Sequence, residues 1–279
     1  MKDPFINGFL KTLWILRDYL PVIVVGGGWA PFLYYRYFLK DKEHKPIYTR
    51  DIDFMVQTQV PVIGSKTVDQ LLVEAGFEAI FKSRDILPLI HYEGNIDGLD
   101  VEIEFLTDQK GSRPDLILEV QNGLHAEALR FISIVVENTI EVTIDDIVSE
   151  ADPSALKVNV PTPSAYIFHK GLVFMRRRDR EKRAKDLYYI FDIMTGCSQI
   201  KPDIMDGLED LSKKYPAWFL IFIKNLGLYF ESPIFEGVLL VAEQRPYSTF
   251  PGLDEDQFKR YVFTAFGEII QDLNTYVRS

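Results

Sequence analysis

A single cysteine, Cys197, stands in the 279 residues, so no internal disulfide can form. No paired Cys/His spacing suggests a zinc site, and a reducing compartment, the cytoplasm, is the expected setting. Long apolar runs are missing as well. The most apolar window, Ala217 to Ile223, ends at Lys224 and is far too short to cross a bilayer, so no membrane partner is expected. The first residues place Phe5, Phe9, Leu13 and Leu16 at helical spacing but interrupt them with Asp3, Lys11, Arg17 and Asp18. That is the pattern of an amphipathic helix rather than a signal peptide. Positive charge in bulk is also lacking: a formal net charge of -10 argues against wholesale wrapping of nucleic acid. One local basic run remains, Arg176 to Lys185, in which Asp179 with Arg183 and Glu181 with Lys185 are spaced to pair along one helix face. Both a solvated face and a functional surface are compatible with it. Histidines are few, and His44, His91, His125 and His169 lie scattered with no ligand pattern. No G-x-S-x-G, P-loop lysine or nucleophilic cysteine context is present.

What the chain does have is a well-mixed composition, 47% hydrophobic and 26% charged, that suits a soluble globular protein of two ordinary domains. After the first helix, Val22 to Val25 reads as a short buried strand running into Gly26, Gly27 and Gly28. A helix over Trp29 to Leu39, a polar loop from Lys40 to Pro46 and a strand around Asp51 to Gln57 follow. A helix near Val68 to Glu74 precedes strands at Phe77 to Phe81 and Ile86 to Tyr92. In Leu99 to Leu106, Val101, Ile103 and Phe105 alternate with Asp100, Glu102 and Glu104. Further strands are expected at Phe131 to Val136, Thr139 to Ile144 and Leu156 to Val160. Past Pro161 and Pro163 the pattern turns helical, over Ser164 to Met175, Arg178 to Met194, Pro202 to Lys214, Ala217 to Phe230 and Glu255 to Val277. The expected fold is therefore α+β, a mixed sheet flanked by helices in residues 1–160 and a mostly helical part in residues 161–279.

The chemistry is concentrated in Thr49-Arg50-Asp51-Ile52-Asp53-Phe54. Two positions apart in a strand, Asp51 and Asp53 project from one sheet face, with Cα atoms ~6.6 Å apart. Their repulsion can be relieved by a shared proton or by a bound cation. Hard divalent ions take oxygen ligands, and paired ions in phosphoryl-transfer sites sit ~3.5–4 Å apart, a separation that such carboxylates can bracket. A third acid from a neighbouring strand would complete the set, and Glu102 and Glu104 both qualify. The competing reading is an acidic edge strand facing water. Glycines at a strand-to-helix turn let backbone approach phosphate, so Gly26 to Gly28 upstream favour the metal reading.

In that order, Val-Val-Gly-Gly-Gly-Trp-Ala at 24–30 and Thr49 to Phe54 resemble the nucleotidyltransferase superfamily related to DNA polymerase β. Within it the chain is most similar to the AbiEii-type branch, which includes toxin components of toxin–antitoxin systems. The resemblance extends through Glu104-Phe105-Leu106-Thr107, Val160-Pro161-Thr162-Pro163, His169-Lys170-Gly171-Leu172, Arg177 or Arg178, and Lys185-Asp186-Leu187-Tyr188. It implies Asp51, Asp53 and Glu104 as metal ligands, Glu102 in reserve, with Mg²⁺ or Mn²⁺ as cofactor. It implies Gly26, Gly27, Gly28, Arg50, Arg177, Arg178 and Lys185 as nucleotide contacts, and Lys170 and Asp186 as further active-site residues contributed by the helical part. The interval from Gly27 to Asp51 exceeds the superfamily's shortest versions, which suggests a longer helix or an inserted loop around Lys40 to Pro46.

Lys170 and Asp186 also attract notice on physical grounds. Each sits on an apolar helical stripe, Lys170 with Tyr166, Ile167, Val173 and Phe174, and Asp186 with Ile190 and Ile193. A buried charge without a partner costs several kcal/mol. Lys170 is thus expected to meet Asp186 or a triphosphate oxygen, or to reach water along its stem. The implied reaction moves a nucleoside monophosphate from a triphosphate to a hydroxyl or phosphate acceptor on RNA (tRNA included), protein or a small molecule. Two other readings stand beside it: an inactive nucleotide- or RNA-binding module, and an interaction protein that docks a cognate antitoxin through the aromatic-rich segment holding Trp218, Phe219, Phe222, Tyr229 and Phe230. For that aromatic stripe a plain core role is the simpler expectation.

Overall fold

The computed structural model of the chain describes residues 3–84, 87–109, 111, 116–146, 154–246 and 249–278. The chain divides between Thr162 and Pro163 into two compact units.

The first unit opens with α1, Pro4–Ile15, started by the Asp3 side chain accepting from the Phe5 amide. Strand β1, Ile23–Val25, leads through the glycines into α2, Trp29–Leu33. A π-helical turn over Tyr34–Phe38 continues α2 and is closed by the Leu39 amide donating to the Tyr34 carbonyl at 2.8 Å. Coil then fills the rest of the interval up to β2, Ile52–Val56. The helix α3, Val68–Glu74, carries a capping box between Thr67 and Gln70. Next come β3, Glu78–Arg84, β4, Leu87–Ile96, and β5, Leu99–Asp108. Ile86, part of the strand expected over Ile86 to Tyr92, lies outside the described residues.

Two elements of this unit differ from expectation. A hairpin of β6, Leu116–Gln121, and β7, Leu124–Leu129, lies where no strand is expected, although its two-residue Asn122-Gly123 turn is a strong local hairpin signal. Gly123 takes φ +82° there. The apolar run Phe131 to Val136, expected as a strand, is instead the helix α4, Ile132–Glu137. A short β-branched run does not distinguish strand from buried helix by itself. Here the Ser133 amide donates to the Asp108 carboxylate at 2.9 Å, and Ile132 and Val135, three apart, pack on Val24, Met55 and Leu106. The unit closes with β8, Thr139–Ile144, and β9, Leu156–Pro161.

The sheet runs in the order β3-β4-β5-β2-β1-β9-β8, with the β6–β7 hairpin joined to β5 through β7. Both parallel pairs (β2 with β5, β1 with β9) and antiparallel pairs (β1 with β2, β4 with β5) occur, so the sheet is mixed, as expected. One face bears Ile52, Phe54, Val101, Ile103 and Phe105, all buried, with the Phe54 and Phe105 rings stacked at 5.5 Å. On the other face, Met55, Val24 and Leu106 lie beneath α4. By strand alternation that same face also carries Asp51, Asp53, Glu102 and Glu104.

The second unit is helical: α5, Pro163–Val173; α6, Arg180–Gly196; α7, Lys201–Lys214; α8, Pro216–Tyr229; α9, Glu236–Glu243; and α10, Glu255–Arg278. Of these, α9 was not anticipated. Gly171 lets α5 and α8 approach closely, since a methyl group there would lie 2.2 Å from the Phe222 ring. Phe219, Phe222 and Phe230 are buried, so the aromatic stripe forms core, while Leu220, Ile221 and Leu228 stay exposed. No helix among the described residues is long and apolar enough to cross a membrane.

Candidate functional site

Asp51 sits at the mouth of β2, and its backbone is held from two sides. The Trp29 indole Nε1 donates to the Asp51 carbonyl at 3.0 Å, and the Thr49 hydroxyl donates to it at 3.1 Å. Trp29 is itself clamped, stacked on Phe9 at 4.0 Å and on Tyr48 at 4.9 Å. The tryptophan that follows the glycines in sequence therefore fixes where the first aspartate emerges.

The glycines act on the second aspartate. The Gly26 amide donates to the Asp53 carbonyl at 2.9 Å, and Gly27 adopts φ +54°. A methyl group on Gly27 would stand 1.8 Å from Asp53 Oδ2, and one on Gly26 would stand 2.4 Å from the Met55 methyl. The carboxylate of Asp53 thus rests directly on the glycine backbone, and any other residue at position 27 would push it aside.

The third acid comes from β5. Parallel pairing places Asp53 beside Glu104, and alternation turns both side chains to the same face. Asp51, Asp53 and Glu104, all half-buried, each bring a carboxylate oxygen within 4.8 Å of the others. Glu102, the alternative third acid, joins a different group: its carboxylate falls with His91 and Glu93, again within 4.8 Å. The structure therefore favours Glu104 as the companion of the aspartates. His91, which lies alone in the sequence with no ligand pattern, joins this second group. The available signal was the alternation His91-Tyr92-Glu93 facing Glu102 across a hairpin. Arg50 is exposed and lies over the Phe5 ring at 5.1 Å.

In the helical unit, Lys170 and Asp186 meet. The Lys170 ammonium donates to Asp186 Oδ1 at 2.6 Å, and Arg177 Nε donates to Oδ2 at 3.0 Å. Lys170 is 6% exposed and Asp186 3%, so this is a buried charge cluster in which each carboxylate oxygen has a cationic donor. The ammonium also lies 5.4 Å from the Tyr166 and Tyr189 ring centres. Burial pushes the Asp186 carboxyl upward, but Lys170 and Arg177 outweigh it and hold the group below the usual carboxylate range. The neighbouring His169 is pushed down to about 3, by burial first and by the Lys170 charge second. Its Nδ1 is buried with no hydrogen-bond partner among the described residues.

The basic run ends in ordinary local structure. Asp179 caps α6 by accepting from the amides of Glu181 and Lys182, in place of the side-chain pair with Arg183 that the spacing predicts. Arg183 reaches Glu236, Tyr229 and the Arg177 carbonyl. Lys185 pairs with Glu181 at 2.7 Å as expected, and Arg178 is exposed.

A family model described as nucleotidyltransferase matches residues 17–206, which is more than half of the chain. No curated protein matches. Among solved structures, the chain is similar to an antigenic nucleotidyltransferase-like protein from Paracoccidioides brasiliensis, at 16% identity and a TM-score of 0.36, covering 78% of this chain and 90% of that one.

Proposed function

Because this chain belongs to the nucleotidyltransferase family, we propose that it moves a nucleoside monophosphate from a nucleoside triphosphate to a hydroxyl or phosphate acceptor, with Asp51, Asp53 and Glu104 holding Mg²⁺ or Mn²⁺. The observation that carries the reading is the meeting of these three carboxylates within 4.8 Å beside a glycine turn that admits no side chain.

The donor set fits a hard divalent ion. It offers oxygen ligands alone and is half-buried. When bound, such ions lower the pKa of the acceptor and neutralise the departing pyrophosphate. Asp51 and Asp53 would supply carboxylate oxygens to the ion, with Trp29 holding the Asp51 backbone and Gly27 leaving room for the Asp53 carboxylate. Glu104, on the adjacent strand, would take the proton of the acceptor hydroxyl as that hydroxyl oxygen bonds to the α-phosphorus, the α–β phosphoanhydride bond breaks and pyrophosphate leaves. Positioning and electrostatics supply most of the rate in such a step.

Within the helical unit, Lys170 and Arg177 are both bonded to Asp186 and Lys185 is paired with Glu181, whereas Arg178 is exposed. Membership of the AbiEii-type branch is part of the proposal, supported by the resemblance of Val160 to Pro163, His169 to Leu172, Arg177 or Arg178 and Lys185 to Tyr188, and a cognate antitoxin is the partner that would follow.

The test incubates the protein with each labelled nucleoside triphosphate, Mg²⁺ and total RNA, using Asp53→Asn as the control. Label appearing in RNA identifies a nucleic-acid acceptor, and label on the protein itself identifies protein modification. If label transfers to neither and no pyrophosphate is released with a small-molecule extract added, or if transfer is equal with Asp53→Asn, the enzymatic reading fails.

A further inference from the structure

The second carboxylate group of the sheet has a different chemistry from the first. His91 and Glu93 lie on one face of β4, and Glu102 lies directly across from Glu93 on β5. His91 Nε2 is 2.7 Å from Glu93 Oε1 and 3.8 Å from Glu102 Oε1. The imidazole is 3% exposed, whereas the two carboxylates remain open to solvent.

An ion pair alone accounts for only part of this arrangement. An imidazolium carries one N–H at Nε2, and Glu93 occupies it. Glu102 lies outside hydrogen-bond reach of the same nitrogen, and two carboxylates directly opposite each other in an antiparallel pair repel. Bonds of about 2.0–2.2 Å to nitrogen and oxygen put the ligand atoms of a tetrahedral zinc ion about 3.3 Å apart. The separations of 2.7 and 3.8 Å bracket that value, so shifts of a few tenths of an ångström in two half-exposed side chains would close the site.

We propose that His91 Nε2, Glu93 and Glu102 form a second metal site, selective for zinc or a similar transition ion, with a fourth position open to water. The imidazole sets the selectivity: nitrogen suits zinc, whereas the all-oxygen group of Asp51, Asp53 and Glu104 suits Mg²⁺. Glu102 and Glu104 are two apart on β5 and face the same side, so the two sites share one strand. The zinc site does not depend on nucleotidyl transfer.

The experiment uses the full chain without added histidines, stripped with chelator and dialysed against Zn²⁺, with Co²⁺ as the spectroscopic probe. The variants are His91→Gln, Glu102→Gln and Asp53→Asn, each checked for folding by circular dichroism. Wild type and Asp53→Asn are expected to bind one zinc per chain, to melt at a higher temperature with zinc, and to show the visible bands of Co²⁺ in a nitrogen-oxygen site. His91→Gln and Glu102→Gln should each weaken zinc by more than the ~10–100-fold that loss of an outer-shell partner costs. Glu102→Gln leaves the His91–Glu93 contact in place, which keeps the test informative if His91→Gln fails to fold. Zinc bound equally by wild type and Glu102→Gln would overturn the proposal, as would no zinc bound by wild type. Loss of zinc in Asp53→Asn would overturn it too, since the two groups would then be one site.

Discussion

Replacing Gly27 with alanine separates backbone strain from displacement of a ligand. Two terms follow from the structure. At φ +54° a residue with a Cβ pays about 1–2 kcal/mol, and the new methyl group would stand 1.8 Å from Asp53 Oδ2. To restore an ordinary contact of roughly 3.4 Å, that oxygen must retreat by more than 1 Å. Gly76 provides the comparison, because it has φ +88° and nothing within 4 Å of its missing Cβ. Gly76→Ala therefore suffers the backbone term alone. Both variants are expected to lower Tm by roughly 2–8 °C, taking ~2–4 °C per kcal/mol for a unit of this size. Only Gly27→Ala should lose Mn²⁺ affinity, measured by calorimetry or by the electron paramagnetic resonance of free Mn²⁺. If the enzymatic reading is correct, its transfer rate falls ~100-fold, the usual effect of a 1 Å misplacement. A folded Gly27→Ala protein with the Mn²⁺ affinity of Gly76→Ala would refute the claim that the glycine exists to seat the Asp53 carboxylate.

Four further outcomes follow from the same structure. Asp51→Asn should abolish tight Mn²⁺ binding yet leave the metal-free protein as stable or up to ~1 kcal/mol more stable, because it removes like-charge repulsion; a lower metal-free Tm would count against the cluster. Asp186→Asn strips the buried Lys170 of its counter-charge and should cost ~3–5 kcal/mol in denaturant unfolding. Since Asp186 is held below its ordinary range when folded, its stabilising effect is complete at pH values above that range and fades as pH drops through the folded value, so Asp186→Asn should flatten acid unfolding. His169 has the same sign: its folded value of about 3 lies under the ordinary 6.5, so stability should decline as pH falls from 6.5 toward 3, and His169→Gln should reduce that slope.

The strands that carry the aspartates and glutamates were legible in the sequence because a period of two is unambiguous when one face is apolar. Val101, Ile103 and Phe105 are all buried, as that pattern requires. The glycine turn was legible as well, although contact with a particular carboxylate depends on folding that no local pattern states. Choosing between Glu102 and Glu104 required register: both face the same side, and only the pairing of Asp53 with Glu104 separates them. His91 escaped notice for the same reason, since its partners lie on its own strand and across a hairpin. Phe131 to Val136 misled because tertiary packing against Val24, Met55 and Leu106 decided the form of a segment whose composition favours strand. Lys170 and Asp186 were found by cost, since a charge on an apolar stripe must have a counterpart.

Strand β5 is also protected from misthreading by its own acids. A slide of one position against β2 would drive Glu102 and Glu104 into the space now filled by Ile103 and Phe105, while those apolar groups turned outward. Desolvating two carboxylates would make that alternative arrangement far costlier than the native one, so the residues that endow the surface with chemistry also proofread the alignment of the sheet beneath it.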